Sequence, residues 1–338
     1  MLNEMLEKLS NIGGISGCEE LVCDAAKQYL EKYCSDVVIK NNNVIGTYGE
    51  HTDGRKHVVL DAHIDQIGMT VTYITSDGFI KVGNVGGLDR RLLPSQKVII
   101  HGKRTLLGVV CSTPPHLVSD ETKVPEIGDI LIDTGLSGEE LNEIVKLGDA
   151  ITFDCKYKEL LNGNVTASAL DDRCGIAAIL YALEQLEGNE TKYNVTVLFS
   201  AQEELGERGA KIAAYELNPD IAIAVDVSFG YVDGCGHEHE YGKLGGGPMI
   251  GVSPSLSRRL SDELIDIANH CKVPYQIEVM SGLTSTNADQ FSVNRCGAEA
   301  STLSIPLRYM HTSVEVVNID DVKYTGQLLA EFLKGDIA

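Results

Sequence analysis

Positive charge is what this sequence is short of. Against 49 Asp and Glu stand 28 Lys and Arg, a formal net charge of −21. The pI near 4.8 follows from that imbalance. So acidic a surface repels phosphate backbones and anionic headgroups, which excludes nucleic acid and membrane surfaces as electrostatic partners. Solvation of an exposed surface accounts for most of the charge, and metal-site carboxylates for only a few of those groups. No Cys-x-x-Cys occurs, and the nine cysteines are odd in number. With no signal peptide before them, they predict reduced thiols in a cytoplasmic protein and exclude a disulfide framework. The apolar runs are far too short to span a bilayer. Internal repeats and low-complexity stretches are also missing. What remains is ordinary globular composition, 43% hydrophobic over 338 residues, long enough for one large or two linked domains.

Two grammars alternate along the chain. Residues 2–9 and 19–33 read as amphipathic helices, and 37–40 with 44–48 as a hairpin-like pair around Asn41-Asn42-Asn43. His57 to His63 opens on a short β-branched run that reads as a buried strand. From about 69 to 161 short alternating segments separated by Gly, Pro and Asp turns predict a compact all-β insert, with one helix over 137–146. Beyond it helices (172–186, 209–216, 257–270) alternate with strands (195–199, 221–225, 300–305). The expected fold class is therefore α/β, a mostly parallel sheet covered on both faces, split into 1–68 and 162–338 by a β insertion. The termini of an inserted domain lie close together, so insertion at a strand end is physically easy.

Chemistry gathers at the strand ends. The first strand runs into Asp61-Ala62-His63-Ile64-Asp65, where His63 and Asp65 project to one face of an extended chain. Asp171-Asp172-Arg173 opens the helix over 172–186; capping explains one such Asp but not a consecutive pair followed by Arg. Val197-Leu198-Phe199-Ser200 leads to Glu203-Glu204, Val225 to Asp226, and the last strand to His311. Each signal is weak alone. In an open α/β sheet, however, these positions share one edge, beyond the carboxyl ends of the strands. Carboxylates crowded there would repel one another and rise in pKa, and divalent cations are the simplest counter-charge. Imidazole with carboxylate suits zinc, cobalt or manganese, whereas calcium favours an all-oxygen shell.

The set DAHIDQIG, ALDDRCG, SAQEELGERGA, AVDVS and IPLRYMHTSVE resembles the glutamyl or deblocking aminopeptidases that form tetrahedral particles, a family of two-metal exopeptidases. The likeness runs through nearly the whole chain. It implies a three-layer zinc-exopeptidase-like catalytic domain and a β-barrel-like dimerisation insert over 69–161. It also implies two divalent ions per subunit. His63 looks like a ligand of one ion, Asp171 like the bridging carboxylate, Glu204 and Asp226 like terminal ligands on opposite ions, and His311 like the second histidine ligand. Glu203 resembles the general base that deprotonates a metal-activated water, and Asp65 the carboxylate that orients His63. Peptides with a free N-terminus are the implied substrates. Dimers, and then a twelve-subunit shell, are the implied assembly. Two departures stand out. Gln66 replaces a usual Glu, and Asn287 a usual Asp, with Asp289 a candidate substitute.

Several tempting strings carry less. Cys235-Gly236-His237-Glu238-His239-Glu240 is not HExxH, because Tyr241 stands where the second histidine belongs, and it reads as a polar loop. Gly245-Gly246-Gly247-Pro248 lacks the Lys-Ser/Thr of a phosphate loop and reads as a tight turn. Arg90, Arg91 and Lys97 read as surface charge or as an interface contact. The rival functions are a related carboxypeptidase or N-acyl amidohydrolase, and a non-catalytic metal-stabilised scaffold. Free-amine against N-blocked substrates separates the first rival, and the presence of Glu203 argues against the second.

Overall fold

In the computed structural model, which describes residues 2–117, 124–187, 189–236 and 241–335, the His57–His63 strand lies inside a large mixed sheet. Asn194–Ser200 pairs parallel on one side and Ile221–Phe229 on the other, with Glu299–Arg308 parallel beyond it. The flanks turn antiparallel. Asn43–Tyr48 and Ser35–Lys40 close one side, and Glu315–Asn318, Asn164–Ala167 and Lys158–Glu159 the other. The short strands Met249–Val252 and Gln276–Val279 branch from Glu299–Arg308. The parallel character expected from the α/β alternation thus belongs to the four central strands.

Period-two alternation makes the three layers. Val58, Leu60, Ile221 and Ile223 pack toward the helices Leu170–Leu186 and Ile319–Lys334 in one core. Val59, Leu198, Ala222 and Ala224 face the other way, onto Arg208–Leu217 and Ala288–Val293. Strands apolar on both faces are what a sheet covered on both sides requires. The hairpin between Ser35–Lys40 and Asn43–Tyr48 turns on Asn41 and Asn42, both at positive φ (52° and 59°), a conformation asparagine tolerates.

A second sheet closes on itself. Gly68–Ile74, Phe79–Val85, Leu131–Asp133, Thr105–Val110, Lys97–His101 and Ala150–Phe153 form a barrel in that spatial order. Its interior is aliphatic, with Met69, Ile80, Val98, Ile100, Ile132 and Ile151 all buried. The helix Gly138–Ile144 starts at Ser137 with a capping box, in which Ser137 N donates to Glu140 at 2.9 Å. Strand Phe79–Val85, helix Ile319–Lys334 and the two branch strands have no counterpart in the sequence expectations. Among the described residues, no helix is long and apolar enough to cross a membrane. All nine cysteines are free.

Candidate metal centre

The four parallel strands bring their charged ends to one edge. His63 closes its strand with the ring buried. Its Nδ1 lies 3.1 Å from the Asp65 carbonyl oxygen and 3.6 Å from Asp65 Oδ1. Its Nε2 points the opposite way, 2.8 Å from Asp171 Oδ1 and 3.8 Å from Asp226 Oδ1. On the far side of Asp171, Oδ2 sits 3.5 Å from His311 Nε2, which is itself 3.2 Å from Glu204 Oε1. Two triplets result, His63–Asp171–Asp226 and Asp171–Glu204–His311, each with its donor atoms within 4.8 Å of one another. They share the Asp171 carboxylate. Glu203 belongs to neither but lines the same cavity of about 310 Å³.

The consecutive aspartates divide the work. Asp172 caps the helix, accepting from Gly175 N at 3.0 Å and from His63 N at 3.2 Å. Asp171 faces the imidazoles instead. The peptide bond between the two is cis. Asp65 does more than face His63. Its carboxylate accepts from Glu203 N at 3.0 Å, Glu204 N at 3.2 Å and the Ser16 hydroxyl at 2.6 Å. One buried side chain therefore fixes the two adjacent glutamates relative to His63.

Glu315, Gly86 and Gly87 have no assigned part in the sequence reading, and Arg173 enters it only as the residue after the aspartate pair. Glu315, fully buried, accepts from Asp171 N at 3.1 Å and from His311 N at 3.2 Å, tying together segments far apart in the chain. The buried Arg173 donates to the Leu9 carbonyl at 3.0 Å behind the site. Gly86 and Gly87 bring the barrel against the centre. A Cβ on Gly87 would stand 2.8 Å from His311 Nδ1, and one on Gly86 3.1 Å from Glu204 Oε2. In the sequence only Arg173, directly after the aspartate pair, and Glu315, four residues past His311, hint at any of these.

The electrostatics are those of a site short of positive charge. Burial drives Asp226 up to about 8 against the pull of His63, with Asp171 adding to the rise. Glu203 rises to about 9, chiefly by burial, again opposed by His63. Burial also raises Glu204, against the hydrogen bond from His311. Burial would lower the histidines, but Asp171 and its carboxylate neighbours override it. His311 goes up to about 11 and His63 well above its usual value. Asp171, bonded from both sides, is held far below the carboxylate range despite its burial. With Nδ1 of His63 turned to a carbonyl, Nε2 meets only acceptors, and either a proton or a cation must lie between. Nitrogen and carboxylate donors in this arrangement fit borderline divalent ions.

The departures and tempting strings also find places. Gln66 Oε1 accepts from Gly14 N at 3.2 Å, and Asn287 donates to the Ser200 hydroxyl at 2.8 Å. Asp289 binds Thr284 N and Ser285 N at 2.9 Å each, fastening a turn that lines the cavity rather than entering the triplets. Gly245 N and Gly247 N donate to Asp321 at 2.7 Å each, so the glycine run is a tight turn. Arg90 pairs with Glu126, and Arg91 with Asp89 at 2.6 Å. Cys235 is exposed; His237 to Glu240 lie outside the described residues.

A layered α/β sheet that delivers histidine and carboxylate to one edge defines a class of proteins with a metal-binding centre, and comparison with known proteins narrows it. The M42 glutamyl aminopeptidase family matches residues 42–328. The lysyl aminopeptidase of Pyrococcus furiosus is 31% identical over 98% of this chain and 96% of its own length. An aminopeptidase from the archaeon Desulfurococcus kamchatkensis superposes with a TM-score of 0.92 at 33% identity, covering 98% of this chain and 94% of that one. The TET1 peptidase of Pyrococcus horikoshii, which can assemble into a tetrahedron or a large octahedral shell, gives 0.86 at 32% identity over 98% and 99%. The chain belongs to the M42 glutamyl aminopeptidase family and is an aminopeptidase, a hydrolase.

Proposed function

We propose that the two triplets hold two divalent cations (zinc, cobalt or manganese) and that the protein removes N-terminal residues from peptides. His63 and Asp226 would hold one ion, Glu204 and His311 the other, and Asp171 both. When bound, the ions would lower the pKa of a water toward about 7 and polarise the scissile carbonyl. Glu203, held beside the triplets by the bond from its backbone N–H to Asp65, takes a proton from the attacking water and returns it to the leaving amine. Its raised pKa favours the second half of that exchange, and cationic charge in the cradle favours the first. A free α-amine seated at the acidic cradle would confine cleavage to the first residue.

The observation that carries this reading is the Asp171 carboxylate lodged between two imidazoles. Elemental analysis should find two ions per chain. Glu203→Gln should keep both and lose about 10²–10⁴ in rate, the usual weight of a general base. An active Glu203→Gln protein removes that residue from its role, and a chain that binds a single ion sinks the dinuclear centre.

The division into 1–68 with 162–338 and an inserted 69–161 belongs to the same proposal. Separate cores for the barrel and for the sheet support it. The barrel would join subunits into dimers and these into a twelve-subunit shell, in the cytoplasm. The tetrahedral assembly of the related TET1 peptidase supports this. Sedimentation decides it, since a stable monomer with and without metal removes the shell. The family description says glutamyl and one relative is named lysyl, so the preferred first residue must come from this chain's own cavity.

A further inference from the structure

The cavity that holds the triplets extends along the Ile221–Phe229 and Glu299–Arg308 strands to a lone carboxylate, Glu278. This residue arrives on the Gln276–Val279 strand and is fastened by two hydroxyls. Ser304 Oγ donates to Oε2 at 2.8 Å, and Ser228 Oγ donates to Oε1. Both serines are tied to the metal centre by strand register. Ser304 is the partner of Asp226 across the parallel pair, and Ser228 lies two residues beyond Asp226 on the same strand face. The Glu278 carboxylate is therefore held one strand across and up to two residues on from Asp226, roughly 5–7 Å away by strand spacing.

We propose that Glu278 selects the substrate's first side chain and favours a cationic one, lysine or arginine. The inference rests on the aminopeptidase reading above, in which the first residue's α-amine and carbonyl sit at the cradle. An α-amine seated there cannot also reach Glu278. A lysine side chain can, since its five bonds of about 1.5 Å span roughly 6 Å. Each oxygen of Glu278 accepts one serine hydroxyl and keeps capacity for a further donor. Met280, Met310 and Phe229 line the same cavity and offer apolar surface to a methylene stem. Among the described residues lining it there is no Lys or Arg, so no described Lys or Arg side chain neutralises Glu278 there. Burial accordingly pushes its pKa up, with the serine bonds opposing. An acidic first residue would face this carboxylate without a counter-charge.

The test uses the metal-loaded, full-length protein and aminoacyl anilides of lysine, leucine and glutamate. Wild type should cleave the lysyl substrate best and the glutamyl one worst. Glu278→Gln keeps a side chain of the same shape that can still bond both serines. It should lower kcat/KM for the lysyl substrate by about 10–100-fold, the weight of one hydrogen bond to a charged group. Leucyl turnover should stay within about twofold on the same grounds. An unchanged lysine-to-leucine ratio overturns the proposal, as does a wild-type preference for leucyl or glutamyl substrate. A uniform loss on all three overturns it too, because it would make Glu278 an α-amine anchor or a structural brace. Calorimetric binding of lysinamide against leucinamide reads the same preference without turnover. A protein that favours lysinamide through Glu278 yet cleaves nothing keeps the selectivity and sinks the peptidase reading. One that cleaves all three alike does the reverse.

Discussion

The barrel and the open sheet are built from the same aliphatic alternation, yet they bury opposite kinds of side chain. Among the described residues between 69 and 153, Thr152 is the one buried polar side chain, and the core is Ile, Val, Leu and Met with Phe153. The open sheet buries Asp61, His63, Asp65, Asp171, Asp172, Asp226 and Glu315 near one edge. A closed barrel pairs its strands all round and leaves no strand-end crevice between layers. An open parallel sheet leaves such a crevice, and charge collects there. The difference also shows in the backbone. Ala169, Gln202 and His311 stand at three of the charged turns with φ of 66°, 57° and 60°, in the left-handed region. Each costs about 1–3 kcal/mol, a strain typical of places where side-chain aim outweighs local comfort. Stability in this chain rests on apolar packing throughout, and chemistry is confined to the one edge where that packing is interrupted.

Acidity should therefore separate the two regions. Without metal, the carboxylates around them raise His63 and His311 despite burial, and burial pushes Asp226 up to about 8, which favours the protonated forms. In the proposed centre a cation would need these groups deprotonated, so its binding should release protons. Affinity should then fall about tenfold per pH unit, for each proton displaced, as pH drops from 8 to 6. Because bound ions stabilise the fold by mass action, the metal-dependent rise in Tm should shrink over the same window. Calorimetry in two buffers of different ionisation enthalpy counts the protons, and a count of zero would remove the histidines from the ligand set. Hydrogen exchange sharpens the contrast. Metal should slow the amides of Asp171, Glu204 and His311 and leave the barrel strands unchanged.

Much of this contrast is legible in the sequence alone. Apolar runs ending in charge marked four strand ends, because burial and sheet position are both written in local pattern. Several strands came out shorter than they are, and the helices over 19–33 and 137–146 longer. Ile221–Phe229, for instance, continues past Asp226 through Val227, Ser228 and Phe229, each paired with a residue of Glu299–Arg308. Illegible were the contacts that exist only across the fold. The grip of Asp65 on the Glu203 and Glu204 amides spans 138 and 139 residues, and that of Glu315 on Asp171 spans 144. Glu278 shows no sign of its place in the local sequence, because the two serines that hold it come from other strands. Asp289, by position a candidate substitute for Asn287, holds a turn through Thr284 N and Ser285 N, a contact that local pattern does not show.

The smallest effect expected comes from the point where the two regions touch. Gly87 lies just past the Phe79–Val85 strand of the barrel, and a Cβ there would stand 2.8 Å from Nδ1 and 3.2 Å from Cε1 of His311. Its φ is not in the glycine-favoured range, so Gly87→Ala adds a steric contact without backbone strain. The imidazole must give way, and it carries the ring Nε2 away from Asp171 and Glu204 as it moves. Displacements of about 1 Å at such a centre cost up to about 10² in rate. We expect a loss of about tenfold to a hundredfold in kcat/KM with weakened occupancy of the second ion, and a Tm close to that of the parent in the metal-free state. Gly128, also in the barrel sequence, has no atom within 4 Å of its would-be Cβ, so Gly128→Ala is the matched control and should change nothing. If Gly87→Ala binds both ions with parental affinity, the barrel has no part in the centre, and the two regions are neighbours rather than joint builders of the site.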